Sequence, residues 1–166
     1  MNANLNFFKA CFKNEMQSTV NLLAAMPNDN LSYKPHPVNR SAKEIAEHIL
    51  AHVLDLKIII ENSACNEALV FDFESSADAS QKLTHLWADV EKALEKVTSE
   101  QWENEMVELL VSGKSFATMP RTNMMWFFFF DIIHHRGQLS TYIRPMGGKN
   151  PAVYGYSFDS LQENNS

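Results

Sequence analysis

Apolar residues recur at three- and four-residue steps near the start of the chain, where Phe7, Phe8, Cys11, Phe12, Met16, Val20 and Leu23 alternate with Lys9, Lys13, Asn14, Gln17 and Asn21. That period keeps one helix face apolar, so it predicts a first helix over 4–25, closed by Pro27. Pro35 and Pro37 prevent 28–40 from being helical throughout, and Ser41-Ala-Lys-Glu44 then reads as a capping box that opens a second helix over 42–62. The stretch 62–76 is irregular and acidic. Beyond it, Asp78 or Ser80 is placed to cap a third helix, 79–98, which carries Leu83, Leu86, Trp87, Val90, Leu94 and Val97 on one stripe. Weak alternation over 105–118 around Gly113-Lys114 predicts an irregular excursion or a short hairpin. Thr118 or Thr122 then opens a fourth helix, which stops near Pro145-Met146-Gly147-Gly148.

The fourth helix is apolar around nearly its whole circumference, which predicts that it is central and packed on several sides. Four helices of these lengths, with a long connection between the second and third, imply an all-α four-helix bundle. The 166 residues are read as one domain, 1–166, with an irregular tail over 150–166 and no internal repeat.

Composition narrows the partners. Net charge is −6 and Lys and Arg are scattered, so the chain lacks the basic footprint of a nucleic-acid binder. The longest apolar run, Met124 to Ile133, is about half the length of a membrane span, and the N-terminus has no signal pattern. A cytoplasmic protein without nucleic-acid or membrane partners is expected. Cys11 and Cys65 belong to no Cys/His cluster and read as small buried hydrophobes.

One carboxylate interrupts the apolar run. Asp131 follows Trp126-Phe-Phe-Phe-Phe130 and precedes His134 and His135, and an ionised carboxylate in such a setting needs an ion partner, hydrogen bonds or a bound cation. It is therefore expected to be tolerated chiefly when a cation is bound, leaving the metal-free protein less stable. Asp131 and His135, one helical turn apart, supply two metal ligands from one face. A third would come from another helix, where His48 and His52 are themselves spaced i, i+4, with Glu44 and Asp55 nearby; His36 and His85 complete the histidines. Spacing alone does not choose among them. Two imidazoles and a carboxylate with vacant positions form the ligand set of a zinc hydrolase or a non-haem Fe(II) centre. No His-Glu-x-x-His, Gly-x-Ser-x-Gly or phosphate loop is present, so no catalytic residue beyond the metal is named.

The segments Ser41-Ala-Lys-Glu-Ile-Ala-Glu-His48-Ile, Asp131-Ile-Ile-His-His135-Arg136-Gly137-Gln138-Leu139, Tyr142-Ile-Arg144-Pro-Met-Gly-Gly and Pro151-Ala-Val-Tyr154-Gly together make the chain resemble the DinB-like superfamily of damage-inducible proteins, described alongside the YfiT-like metal-dependent hydrolases. The resemblance implies a bundle in which one histidine of the second helix and an i, i+4 pair on the fourth hold a divalent ion, commonly zinc or nickel, with iron or manganese as other choices. Carried over by position, the ligands are His48, Asp131 and His135. The commonest pattern has histidine where this chain has Asp131, while thiol-dependent members place a carboxylate at the first ligand position. Hydrolysis and thiol transfer are the two chemistries implied, on a small-molecule or thiol substrate. The alternative is a non-enzymatic stress-associated or small-ligand-binding bundle whose ion is structural. His52 is expected to pack or to orient a ligand, His134 to face a neighbouring helix or solvent, Tyr154 to pack, and Arg136 and Arg144 to anchor the helix end or the loop after it. The aromatic and Met surface of the first and fourth helices predicts a homodimer.

Overall fold

The computed structural model describes residues 2–67 and 71–163. Helix α1 spans Ala3–Ala24, with the Asn2 side chain accepting the Leu5 N–H and Leu5, Phe8, Phe12, Leu22 and Leu23 turned inward. Helix α2, Ala42–Glu61, opens on the predicted capping box: Ser41 Oγ accepts the Glu44 N–H, and Glu44 accepts the Ser41 N–H in return. Helix α3, Ser76–Leu94, begins three residues earlier than the sequence suggests. Ser75 caps it, and Asp78 lies in the first turn with its carboxylate on Lys82, 2.8 Å away. Helix α3 stops at Leu94, short of the predicted end at 98, and a separate short helix α4, Ser99–Asn104, starts beyond it, because Thr98 and Gln101 form a second capping box there.

The excursion before the last long helix is a hairpin. Strand β2, Met106–Val111, pairs antiparallel with β3, Lys114–Pro120. Ser112 and Gly113 both have positive φ, 52° and 74°, as a two-residue turn matched to strand twist requires. Within the stretch expected to be irregular, β1, Ala64–Asn66, adds in parallel to β2, so the fold carries a three-stranded sheet beside its helices. Helix α5, Arg121–Tyr142, follows directly from β3 at Pro120; Thr118 is paired in the strand and caps nothing. The tail is less irregular than expected, since Phe158–Glu163 forms a short helix, α6.

The four long helices form a bundle in which α1 packs on α3, α3 on α2, α2 on α5 and α5 on α1. Phe12 and Trp87 stack at 4.2 Å across the α1–α3 seam, and the Trp87 indole N–H is satisfied by the Phe12 carbonyl. The last long helix is packed on several sides, as expected, by α2, α1, α4 and the hairpin, but one face stays open. Met124, Met125, Phe128, Phe129 and Ile132 are buried, whereas Phe127 and Phe130 are 52% and 60% exposed. A bundle helix has two neighbours, so an apolar circumference leaves a stripe uncovered within one chain. No helix among the described residues is long and apolar enough to cross a membrane.

Two clamps fix α2 against α5. At one end Arg121, 2% exposed, donates to the Ile59 carbonyl at 2.9 Å and forks onto Glu105 at 2.7 and 2.8 Å. At the other, the Tyr142 hydroxyl donates to the Arg40 carbonyl just before α2. Gly148 permits the return of the chain, since a Cβ there would lie 2.9 Å from the Ala25 carbonyl oxygen.

Candidate metal centre

Helix α2 carries His48, His52 and Asp55 at i, i+4 and i+7, and α5 carries Asp131, His135 and Gln138 at the same steps. At about 100° per residue each set forms one narrow stripe, and the clamps bring the two stripes face to face. Asp131 Oδ2 is the meeting point. It lies 2.9 Å from His52 Nε2, 3.2 Å from His135 Nε2 and 3.6 Å from His48 Nε2. The rings crowd together, with centroids 4.0 Å apart for His48 and His52 and 4.6 Å for His48 and His135.

The sequence-derived triad is therefore assembled: His48, Asp131 and His135 each place a donor atom within 4.8 Å of the others. His48, His52 and Glu67 form a second such group that shares His48 with the first. His36 and His85 are exposed and enter neither group. His134 is also exposed and meets Gln138 rather than Asp131. Arg136 does anchor α5, being 2% exposed and held by Glu15, Ser18 and Thr19 of α1. Tyr154 joins it there, its hydroxyl against Arg136 and Glu15. Arg144 binds Asp159 at 2.8 Å and so fastens the tail.

Protonation follows from the geometry. Hydrogen bonds from His135, then His48 and His52, hold the Asp131 carboxyl far below the usual range, so it is anionic. Burial pulls the His52 imidazole down, but the Asp131 and Asp55 carboxylates on its two ring nitrogens outweigh that and lift it to about 9. Burial lowers His48 and keeps it neutral. Cys65 is more than the apolar filler its sequence context suggests: its thiol donates to Asp55 Oδ1, and burial pushes it up to about 12, so it is not a nucleophile near neutral pH. Cys11 is only half-buried.

The donor set suits a divalent cation. Two imidazoles and a carboxylate converge at separations close to the roughly 3.0–3.4 Å that neighbouring donors show on one ion with bonds of about 2.1 Å. His135 Nδ1 faces Gln138 Oε1 at 2.8 Å, so with an ion bound the ring proton would sit on Nδ1 and the Nε2 lone pair would be free for ligation. His135 and Gln138 also line an open cleft of about 510 Å³, whose wall includes Asn39, Arg40, Thr141 and Tyr142. The sequence reading has no place for Glu67, because it directly follows the three-residue β1, where no periodicity is legible.

This is a helical bundle with a histidine–carboxylate cluster between two of its helices, and the comparisons with known proteins agree on its class. The DinB family model matches residues 1–166, and the chain belongs to that family. A DinB-like protein of Bacillus subtilis, YjoA, is 22% identical and superposes with a TM-score of 0.68, covering 90% of this chain and 99% of its own. A DinB-like protein of Bacillus cereus is 18% identical, with a TM-score of 0.70 over 89% of this chain and 95% of its own. At these identities the likeness is one of fold. No curated protein matches the chain.

Proposed function

We propose that this member of the DinB family binds a divalent metal ion through His48, Asp131 and His135 and uses it in hydrolysis or thiol transfer. The observation that carries the reading is the convergence of imidazole nitrogens on an anionic carboxylate at the mouth of a polar cleft. Zinc and nickel suit that donor set best, with iron and manganese next. Bound there, such an ion supplies Lewis acidity toward an oxygen or sulfur atom of water or substrate. The protein's own groups do the rest. Gln138 sets the tautomer of His135, and Asp131 places negative charge between the two helices. Arg40 and Asn39 on the cleft wall favour a polar or anionic substrate group. Glu67, whose carboxylate approaches His48 and His52, is the group placed to take a proton from an incoming nucleophile. The chain forms a homodimer through exposed Phe7 and Phe130 with half-buried Trp126 between them, which stacks on Phe130 at 5.3 Å.

Metal analysis of tag-free protein, followed by a screen of ester, amide and thiol substrates with and without chelator, tests the reading. About one divalent ion per chain and chelator-sensitive turnover are expected. A metal-free preparation that also refuses added zinc and nickel would overturn it, and full metal occupancy without turnover would leave a structural ion tying α2 to α5.

A further inference from the structure

The chain has four arginines, and three of them are engaged by carboxylates: Arg121 by Glu105, Arg136 by Glu15 and Arg144 by Asp159. The fourth is Arg40. Among the described residues its guanidinium makes no ion pair and no hydrogen bond. The acidic residue nearest to it in sequence is Glu44, whose carboxylate is already taken. It accepts the Ser41 N–H at 2.6 Å and meets Lys34 at 3.1 Å.

Arg40 stands on the wall of the cleft of about 510 Å³ that His135 also lines, and among the described residues no carboxylate and no lysine shares that wall. Its backbone is fixed although its side chain reaches solvent. The Arg40 carbonyl accepts the Tyr142 hydroxyl, and the next residue, Ser41, caps α2. Tyr142 is held in turn by Tyr33, edge-on at 5.7 Å, and by the Asn39 side-chain amide, which donates to its hydroxyl at 3.5 Å. The neighbouring end of α2 has no N–H to spare for a ligand: Ala42 donates to the Tyr33 carbonyl, Lys43 to the Leu31 carbonyl and Glu44 to Ser41 Oγ. The cleft therefore offers an anion one cation and no backbone cradle.

A permanent cation that shares a cleft with a metal ligand works against the ion unless an anion joins the two. A planar guanidinium with free N–H groups takes a carboxylate through two parallel hydrogen bonds. Phosphate sites, by contrast, add a ring of backbone N–H groups to their cations, and this cleft has none free. We propose that the substrate of this site carries a carboxylate that Arg40 binds, while the rest of the molecule extends along the cleft toward His135. The proposal rests on the reading of this cleft as the approach to the metal centre, and it narrows the substrate to small carboxylic acids, with Arg40 as the residue that sets specificity. A cleft of this volume is of the size that holds a small molecule.

Chelator-treated full-length protein separates this contact from direct ligation of an anion by an ion. Titrations with benzoate, phenyl phosphate and neutral benzamide, followed through the backbone amide resonances of Asn39, Arg40, Gln138 and Tyr142, separate charge from shape. Benzoate should shift these resonances saturably and benzamide should not. Arg40→Gln should weaken benzoate binding by about tenfold or more, with helical circular dichroism retained, and Arg40→Lys, which keeps the charge and loses the fork, should fall between it and wild type. Arg144→Gln removes the same charge elsewhere and should bind benzoate as wild type does. Absence of benzoate binding, equal binding of benzamide, wild-type affinity in Arg40→Gln or an equal loss in Arg144→Gln would each overturn the proposal, and tighter binding of phenyl phosphate would overturn the assignment to a carboxylate. The metal reading fails separately. Protein that refuses zinc and nickel yet binds benzoate through Arg40 loses the metal and keeps the anion site, whereas protein that takes up metal while benzoate ignores Arg40 loses the anion site alone.

Discussion

Metal uptake by this site should be a proton exchange, and its pH dependence can be worked out from His52. In the metal-free protein the Asp131 and Asp55 carboxylates raise that imidazole from 6.5 to about 9 despite its burial. Near neutral pH the ring is therefore a cation held by Asp131, and a divalent ion entering at that carboxylate competes with it and favours loss of its proton. At pH 7 the proton is held about two pH units below its dissociation point, so binding should be about 100-fold weaker than above pH 9, rising about tenfold per unit between. The same shift governs stability without metal. A raised folded-state pKa contributes in full below about 6.5 and is lost as pH climbs through about 9, and 2.5 units correspond to about 3 kcal/mol. Chelator-treated protein should thus lose roughly that much stability from pH 6.5 to 9, while nickel-loaded protein should not. Calorimetric nickel titrations in buffers of different ionisation heat count the protons directly, and about one per ion is expected at pH 7. Affinity that stays flat from pH 7 to 9 with no proton released would refute the reasoning.

Other variants separate the roles of neighbouring residues. His135→Ala should remove most of the bound metal, whereas exposed His134→Ala should leave metal content near that of wild type; mass spectrometry of the purified variants decides. Asp131→Ala should lose metal yet keep its fold, and Asp131→His should restore binding with an all-nitrogen set that prefers zinc or nickel; wild-type metal content in Asp131→Ala would remove the carboxylate from the site. Glu67→Gln should retain metal and lower turnover of any substrate found by about 10²-fold or more, as loss of a proton acceptor does; unchanged turnover would remove Glu67 from the reaction. Arg121→Met should destabilise the protein by about 3 kcal/mol, since it strands Glu105 and the Ile59 carbonyl. In a chain of this size that lowers the melting temperature by about 6–12 °C, which a thermal melt reads directly.

Helix periods and caps made most of the bundle legible before any coordinates. The capping box at Ser41 and the stripes of α1 and α3 are local signals, and the helices follow them. What escaped is what depends on partners distant in sequence. Strand β1 has three residues and exists because Ala64 to Asn66 find the edge of β2 more than forty positions away. Glu67 enters the site only through that pairing, its N–H held by the Leu110 carbonyl at 2.8 Å. The register of α2 against α5 was equally illegible, since Arg121 sets it by reaching backbone carbonyls that no side-chain pattern advertises. Spacing placed His48 and His52 on one face and left open which of them points at Asp131; in the fold both do.

Asp131 also shows where a sound sequence argument needed one more partner. A carboxylate in so apolar a run demands an ion partner, hydrogen bonds or a bound cation, and the sequence reading favoured the cation. The fold provides another. His52, buried and backed by Asp55, carries the compensating proton, and so Asp131 is not stranded when metal is absent. The expectation that this charge needs metal to be tolerated therefore gives way to a site already closed by a proton. Near neutral pH the helices meet through an imidazolium–carboxylate pair, and on the proposed reading an ion would replace that pair without requiring the bundle to refold. The histidine that the sequence reading set aside as a packing or orienting group is thus the one that keeps the site assembled before its ion arrives.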